Sequence, residues 1–162
     1  MNVANLEDLF VHTLKDIYFA EKHITKALPK MIDKAKDAKL KGLFEAHLKE
    51  TKGQIERLEK IFDKLGKKAS GEECPAIEGI TKEAEELMSG IKDAATLDAA
   101  MTAAAQAVEH YEMTRYGTLI AWATKLGHEE AASLLAQNLL EEETADSKLT
   151  LLAESTLNKK AA

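Results

Sequence analysis

The sequence predicts an all-α protein, a bundle of four long helices, and three observations carry that prediction. Ala, Leu, Lys and Glu dominate a 162-residue chain that holds only two prolines, eight glycines and 5% aromatic residues, a composition rich in helix formers and poor in breakers. Apolar residues recur at helical spacing through four long segments. Between the second and third of these lies a connection of about 30 residues, far longer than antiparallel neighbours need. With 45% hydrophobic and 31% charged residues, the chain amounts to one domain over residues 1–162, with a sizeable core over about 5–157.

The first helix is expected to start at Asn5, a good N-cap residue, with Glu7 and Asp8 at the positive helix end. Its apolar stripe runs from Leu6 through Phe10, Leu14, Ile17 and Ile24 to Met31, with Glu21 on the stripe and Pro29 as a local kink before an end near Lys36. After a polar joint at residues 37–39, the second helix continues to Gly66, where a glycine and two lysines close it. The middle of its inner face is polar: His47, Thr51 and Gln54, with Glu50 beside Gln54. Residues 69–75, containing Ser70, Gly71 and a Cys74-Pro75 pair, form the clearest loop, and residues 76–89 make a short amphipathic helix within the crossover. Such a crossover can run the length of a bundle and deliver the third long helix parallel to the second.

The third helix is expected from Thr96, as its cap, to Lys125, and Gly127 makes a tight joint to an antiparallel fourth helix from Glu129 to about Leu157. The fourth stripe reads Leu135, Leu139, Leu149 and Ala153, with Glu142 and Asp146 where leucines would otherwise stand. The polar tail from Asn158 to Ala162 is expected to fray.

The chemistry centres on Ala107–Tyr116 in the third helix. At about 100° per residue, Glu109 and Glu112 straddle the line of Ala105, Val108, Tyr116 and Leu119 that a core should occupy. Burying an unpaired carboxylate costs several kcal/mol, so a cation must neutralise such a pair or the face must be wet. The midpoints of the four helices fall near residues 20, 52, 110 and 143, to within a few residues. Glu21, Glu50, Glu109, Glu112, Glu142 and Asp146 therefore share one height whatever the helix directions. Carboxylate oxygens are hard ligands, and a layer of them in a bundle suits two iron or manganese ions, with Gln54 as a seventh ligand. Six carboxylates around two divalent ions leave excess negative charge, which favours the trivalent state or a protonated carboxyl. His47 is placed to hydrogen-bond a ligand carboxylate and Tyr116 to hold a ligand or pass an electron, each also readable as an ordinary buried side chain. His110 points off the stripe; His12, His23 and His128 read as surface residues, and Cys74 as an ordinary thiol.

Other chemistries lack support. The net charge of −6 and pI near 5.4 argue against a nucleic-acid partner. A single cysteine and the lack of a signal-like or membrane-length apolar run point to a cytoplasmic protein away from membranes. There is no Gly-rich phosphate loop, Cys-x-x-Cys or His-Glu-x-x-His. The Glu-x-x-His pair usual in di-iron bundles is also missing from the second and fourth helices.

Five blocks carry a family resemblance: Asp16-Ile17-Tyr18-Phe19-Ala20-Glu21; His47-Leu48-Lys49-Glu50-Thr51 with Gln54; Cys74-Pro75-Ala76; Val108-Glu109-His110-Tyr111-Glu112 with Tyr116-Gly117; and Glu142 with Asp146-Ser147-Lys148-Leu149. In that order, over about residues 3–157, the chain resembles the YciE/YciF family of bacterial ferritin-like proteins. The resemblance implies a ferritin-like four-helix bundle with a short helix in its crossover, a homodimer, a rubrerythrin-like metal layer and a role in stress responses. The expected function is then a di-metal carboxylate protein reacting with oxygen or peroxide, a metal-dependent oxidoreductase of peroxidase, oxidase or catalase type. The alternatives are a non-enzymatic dimeric stress scaffold with a structural metal layer, and iron storage, which needs a hollow shell of many subunits.

Overall fold

The structure, a computed structural model, describes residues 3–162, so the first two residues of the expected domain lie outside it. Among the described residues every regular element is helical: α1 Leu6–Lys34, α2 Ala38–Lys64, α3 Pro75–Gly90, α4 Ala94–Leu126, α5 Glu129–Leu152, a π-helical turn Ala153–Leu157, and α6 Asn158–Ala161. The four long helices close a ring of neighbours in the order α1, α2, α5, α4, and α3 lies outside against α4 and α1. Cross-links fix the directions. A three-residue joint turns α1 back into α2, Gln54 meets Glu142 while Lys64 meets Glu130, Gln106 meets Asp146 while Tyr116 meets Asn138, and Glu21 meets Tyr116 while Lys36 meets Asp98, so each neighbouring pair is antiparallel. The diagonal helices α2 and α4 are consequently parallel, as the long crossover requires.

Local chemistry sets the ends. The Asn5 side chain accepts from the Asp8 N–H at 2.8 Å, and Asp37 caps α2 by accepting from Lys39 at 2.9 Å. Thr96 is not the cap of α4: Asp93 accepts from the Thr96 N–H at 2.8 Å, and the helix starts two residues earlier than expected. Gly66 and Gly127 take positive φ of 64° and 80°, the left-handed conformation that ends a helix cheaply only for glycine. Pro29 does not interrupt α1, which runs on to Lys34. Its position is exposed, so water can serve the carbonyl left without a donor.

The crossover is pinned rather than loose. A Cβ on Gly71 would lie 2.9 Å from Cβ of Phe19, so only glycine lets this backbone approach α1. Cys74, expected in an open loop, is buried, with its thiol 2.9 Å from the Tyr111 hydroxyl, and Pro75 follows as the first residue of α3. Burial pushes the Cys74 thiol up, which makes it a packing group rather than a nucleophile.

The tail also differs from expectation. Instead of fraying, it stays helical to Ala161, and the Lys160 ammonium donates to Asp37 at 2.8 Å. The π-turn explains how. Leu152 and Leu157 are both buried, yet five residues on an α-helix would set them about 140° apart. A wider turn brings both to the core side. Along α5 the buried face is Leu135, Asn138, Glu142, Ala145, Leu149 and Leu152, so the helix is rotated from the stripe expected through Leu139 and Ala153. No helix among the described residues is long and apolar enough to cross a membrane.

Candidate metal centre

Apolar residues fill both ends of the bundle, and polar ones fill its middle. On α1, Glu21 takes the inward position between Ile17 and Ile24; on α2, His47, Thr51 and Gln54 stand between Phe44 and Leu58. On α4, Glu109 and Glu112 stand between Ala105 and Tyr116, and on α5, Asn138 and Glu142 stand between Leu135 and Leu149. These spacings of three and four residues are those of any core stripe. The polar residues are inward because the core residues on either side of them are.

The resulting layer is dense. His47, Glu109, Glu112 and Glu142 each offer a donor atom, and these atoms lie within 4.8 Å of one another. His47 Nε2 is 3.4 Å from Glu109 Oε1, longer than a good hydrogen bond. The Gln54 amide donates to Glu142 Oε1, and the Tyr116 hydroxyl donates to Glu21 Oε1. Behind Tyr116, Asn138 Nδ2 donates to the tyrosine oxygen at 3.1 Å, and Arg57 Nε donates to Asn138 Oδ1. A line of donors thus runs from Arg57 through Asn138 and Tyr116 to Glu21, and each member orients the next. The second arm of the Arg57 guanidinium holds Glu141.

The rest of the layer is unsatisfied. Glu21 Oε2, Gln54 Oε1, Glu109 Oε2, Glu142 Oε2, both oxygens of Glu112 and both ring nitrogens of His47 are buried without a hydrogen-bond partner. Such atoms cost about 1–3 kcal/mol each when left alone, and more when charged. Burial, reinforced by the Glu142 carboxylate, holds Glu21, Glu109 and Glu112 well above the usual carboxylate range. Burial followed by the charges of Glu21 and Glu112 does the same to the Tyr116 phenol. Converging acids that resist ionisation, with lone pairs aimed at one another, form a group that could hold a cation.

The expected site residues are distributed unequally. Glu21, Gln54, Glu109, Glu112, Glu142 and Tyr116 are buried in the layer, and His47 faces into the group as a donor in its own right. Glu50 and Asp146 are not brought in. Glu50 is half-buried, beside Lys148 at a narrow opening that reaches His47 and Glu109 from the α2–α5 side. Asp146 turns to the α4–α5 seam, where it accepts from Gln106 at 2.9 Å and faces the exposed His110 at 3.3 Å. Both sit one helical step to the side of the inward position, a rotation the stripe alone leaves open. Asn138 and Arg57 escaped the sequence reading. Asn138 stands four residues before Glu142 on the same face, a polar residue at a leucine position, and that was the signal for it.

The donor set fits metal. It offers hard oxygen ligands and one imidazole, without sulfur, on fixed helices, and such a group could hold a metal ion. Four carboxylates are fully inside: Glu21, Glu109, Glu112 and Glu142. The layer therefore holds four carboxylates rather than the six expected from the sequence, because Glu50 and Asp146 stand at its edge.

Known proteins match the whole chain. Residues 5–162 match the family model described as Domain of unknown function (DUF892). Protein YciF of Escherichia coli (strain K12) is 45% identical over 162 residues, 99% of this chain and 98% of that protein. The crystal structure of the E. coli stress protein YciF superposes with a TM-score of 0.92 at 44% identity, covering 97% of this chain and 99% of the other. YcfI from Rhodopseudomonas palustris, presented as a candidate structural protein, gives a TM-score of 0.91 at 54% identity, covering 92% and 95%.

Proposed function

The chain belongs to the DUF892 family, the family of YciF, and from that premise we propose that it is a ferritin-like protein whose interior holds two iron or manganese ions for reaction with oxygen or peroxide in a bacterial stress response. The observation that carries this reading is the set of partnerless donor atoms on Glu21, His47, Gln54, Glu109, Glu112 and Glu142 in one buried layer. A structural polar layer would satisfy itself with hydrogen bonds, because burial without them is destabilising.

Bound redox-active ions would supply a place to hold oxygen or peroxide and electrons to exchange with it. The chain's own residues divide the remaining work. Glu109, Glu112 and Glu142 with His47 form the tighter donor group, and Glu21 approaches from α1. Gln54 orients Glu142, while Tyr116 fixes one oxygen of Glu21 and leaves the other free. Tyr116 also places a phenol proton within the layer. Apolar ends of the bundle above and below exclude bulk water. We place the protein in the cytoplasm as a homodimer, with neither nucleic acid nor membrane as partner; a buried free thiol suits a reducing compartment.

Elemental analysis of protein purified without chelators tests the reading. Wild type should carry close to two equivalents of iron or manganese and Glu109→Ala well under one, with peroxide or oxygen consumption following metal content. Wild type free of metal after exposure to both ions would leave the second reading, a non-enzymatic stress scaffold, favoured by the description of YcfI as a candidate structural protein. A sizing column showing dimers would exclude iron storage, which needs a closed shell.

A further inference from the structure

A second feature meets the same layer from outside. Between α1, α2, α3 and α4 lies a pocket of about 40 Å³ that ends on His47 and Glu109. Its walls are apolar, with Ile24, Met31 and Phe44 on one side and Ala84, Met88 and Val108 on the other. The extra helix α3 closes it. Thr81 is the one α3 hydroxyl at the wall, and it is already committed, donating to the Ile77 carbonyl at 2.8 Å and lying 2.9 Å from His23 Nε2. At the rim the Lys30 ammonium and Glu85 carboxylate pair at 2.7 Å, so these charges answer each other rather than a ligand.

A cavity of this size has room for water, but water stays only where two to four polar partners hold it. Away from His47 and Glu109, these walls offer none. The space therefore favours an uncharged, apolar guest of a few atoms. The other approach to the same two residues is smaller: the opening of about 20 Å³ on the α2–α5 side also has mostly apolar walls, with Glu50 and Lys148 among them. The α3-covered pocket is thus the roomier of two largely apolar approaches to one layer.

We infer that the α3-covered pocket is a binding site for a small apolar gas molecule beside His47 and Glu109, and that its natural occupant is dioxygen rather than peroxide. Peroxide would give up hydrogen bonds to water and find replacements only at the His47 and Glu109 end of the pocket, none along the rest of its walls. The gas site stands on the walls alone, whereas the choice of dioxygen rests on the metal-centre reading above.

Xenon is the probe, because it occupies dry apolar cavities and makes no hydrogen bonds. Crystals of the full chain, metal-loaded and chelator-treated, are pressurised with xenon, alongside Ala104→Leu and Ala84→Leu, which fill the space from two different helices; each is checked for fold by circular dichroism. Xenon should bind in both forms of wild type and be lost in the filled variants. In metal-loaded protein reduced anaerobically, filling should slow oxidation by dioxygen several-fold with metal content and the rate with peroxide unchanged. Absence of xenon from wild type, or ordered water in its place, would overturn the gas site, as would xenon persisting in a folded filled variant. Equal slowing with dioxygen and peroxide would overturn the choice between them. Xenon without metal binding would overturn the metal-centre reading and the dioxygen assignment together, whereas metal without xenon would overturn only the pocket.

Discussion

Asp98 and Glu112 are both buried carboxylates on α4, about four turns apart and on nearly the same face. Asp98 lies at the α1–α2 joint, where its two oxygens accept from the backbone N–H groups of Lys36 at 2.9 Å and Asp37 at 2.7 Å. Glu112 lies in the middle layer, and neither of its oxygens has a partner. The first is a staple holding the turn between two helices; the second is half of an interaction whose other half must be a cation, a proton or water. Burial of an acid thus says little about function until its lone pairs have been followed.

The largest expected effect should separate these two sites outright. Glu109→Ala removes a member of the donor group and should lower metal affinity by more than the 10–100-fold typical of outer-sphere changes, whereas Asp98→Ala should leave metal content unchanged in elemental analysis. Equal metal loss in both would break the comparison.

Metal removal and pH sharpen it next. Stripping the ions should cost roughly 3 kcal/mol of stability per ion at ligand concentrations near 100 times Kd, read as a lower Tm. In the metal-free protein, Glu21, Glu109 and Glu112 hold protons more tightly folded than unfolded. Their contribution is therefore full below the ordinary Glu value of about 4.3 and declines as the pH rises through the raised folded values. Calorimetry of chelator-treated protein should show Tm falling as the pH rises from the ordinary Glu value towards the raised folded values, with a shallower slope in Glu112→Gln and little slope in metal-loaded protein. A rise in metal-free Tm over the same window would contradict the arrangement of the layer.

The staple itself is worth less. Asp98→Ala should destabilise by about 2 kcal/mol through two abandoned N–H groups, or roughly 4–8 °C in Tm. Tyr116→Phe should cost about 1–2 kcal/mol, because Glu21 loses its donor and Asn138 its acceptor. The smallest effects belong to the flank: Glu50→Gln and Asp146→Asn should change metal stoichiometry little, and a loss equal to that of Glu109→Ala would place them back among the ligands.

Much of this was legible in the chain. Helix spans, the glycine joints, the parallel diagonal and the common height of the acids follow from periodicity and caps. Those are local properties, fixed within a few residues by backbone hydrogen bonding and 3.6-residue repetition. Glu21, Glu109, Glu112 and Glu142 could be found because each replaces an apolar residue on a stripe. His47 was seen as a neighbour of the ligands rather than one of the donors. Asp98 and Asn138 were not singled out at all, because their partners are 61 and 22 residues away, in Asp37 and Tyr116.

The sequence by itself determined which helices form and at what level their acids lie. Only the tertiary structure decided the rotation of each helix about its own axis, since that angle is settled by side chains packing against three neighbours at once. A turn of some tens of degrees left Glu50 and Asp146 at the edge, brought Asn138 inward, and set four carboxylates facing one another.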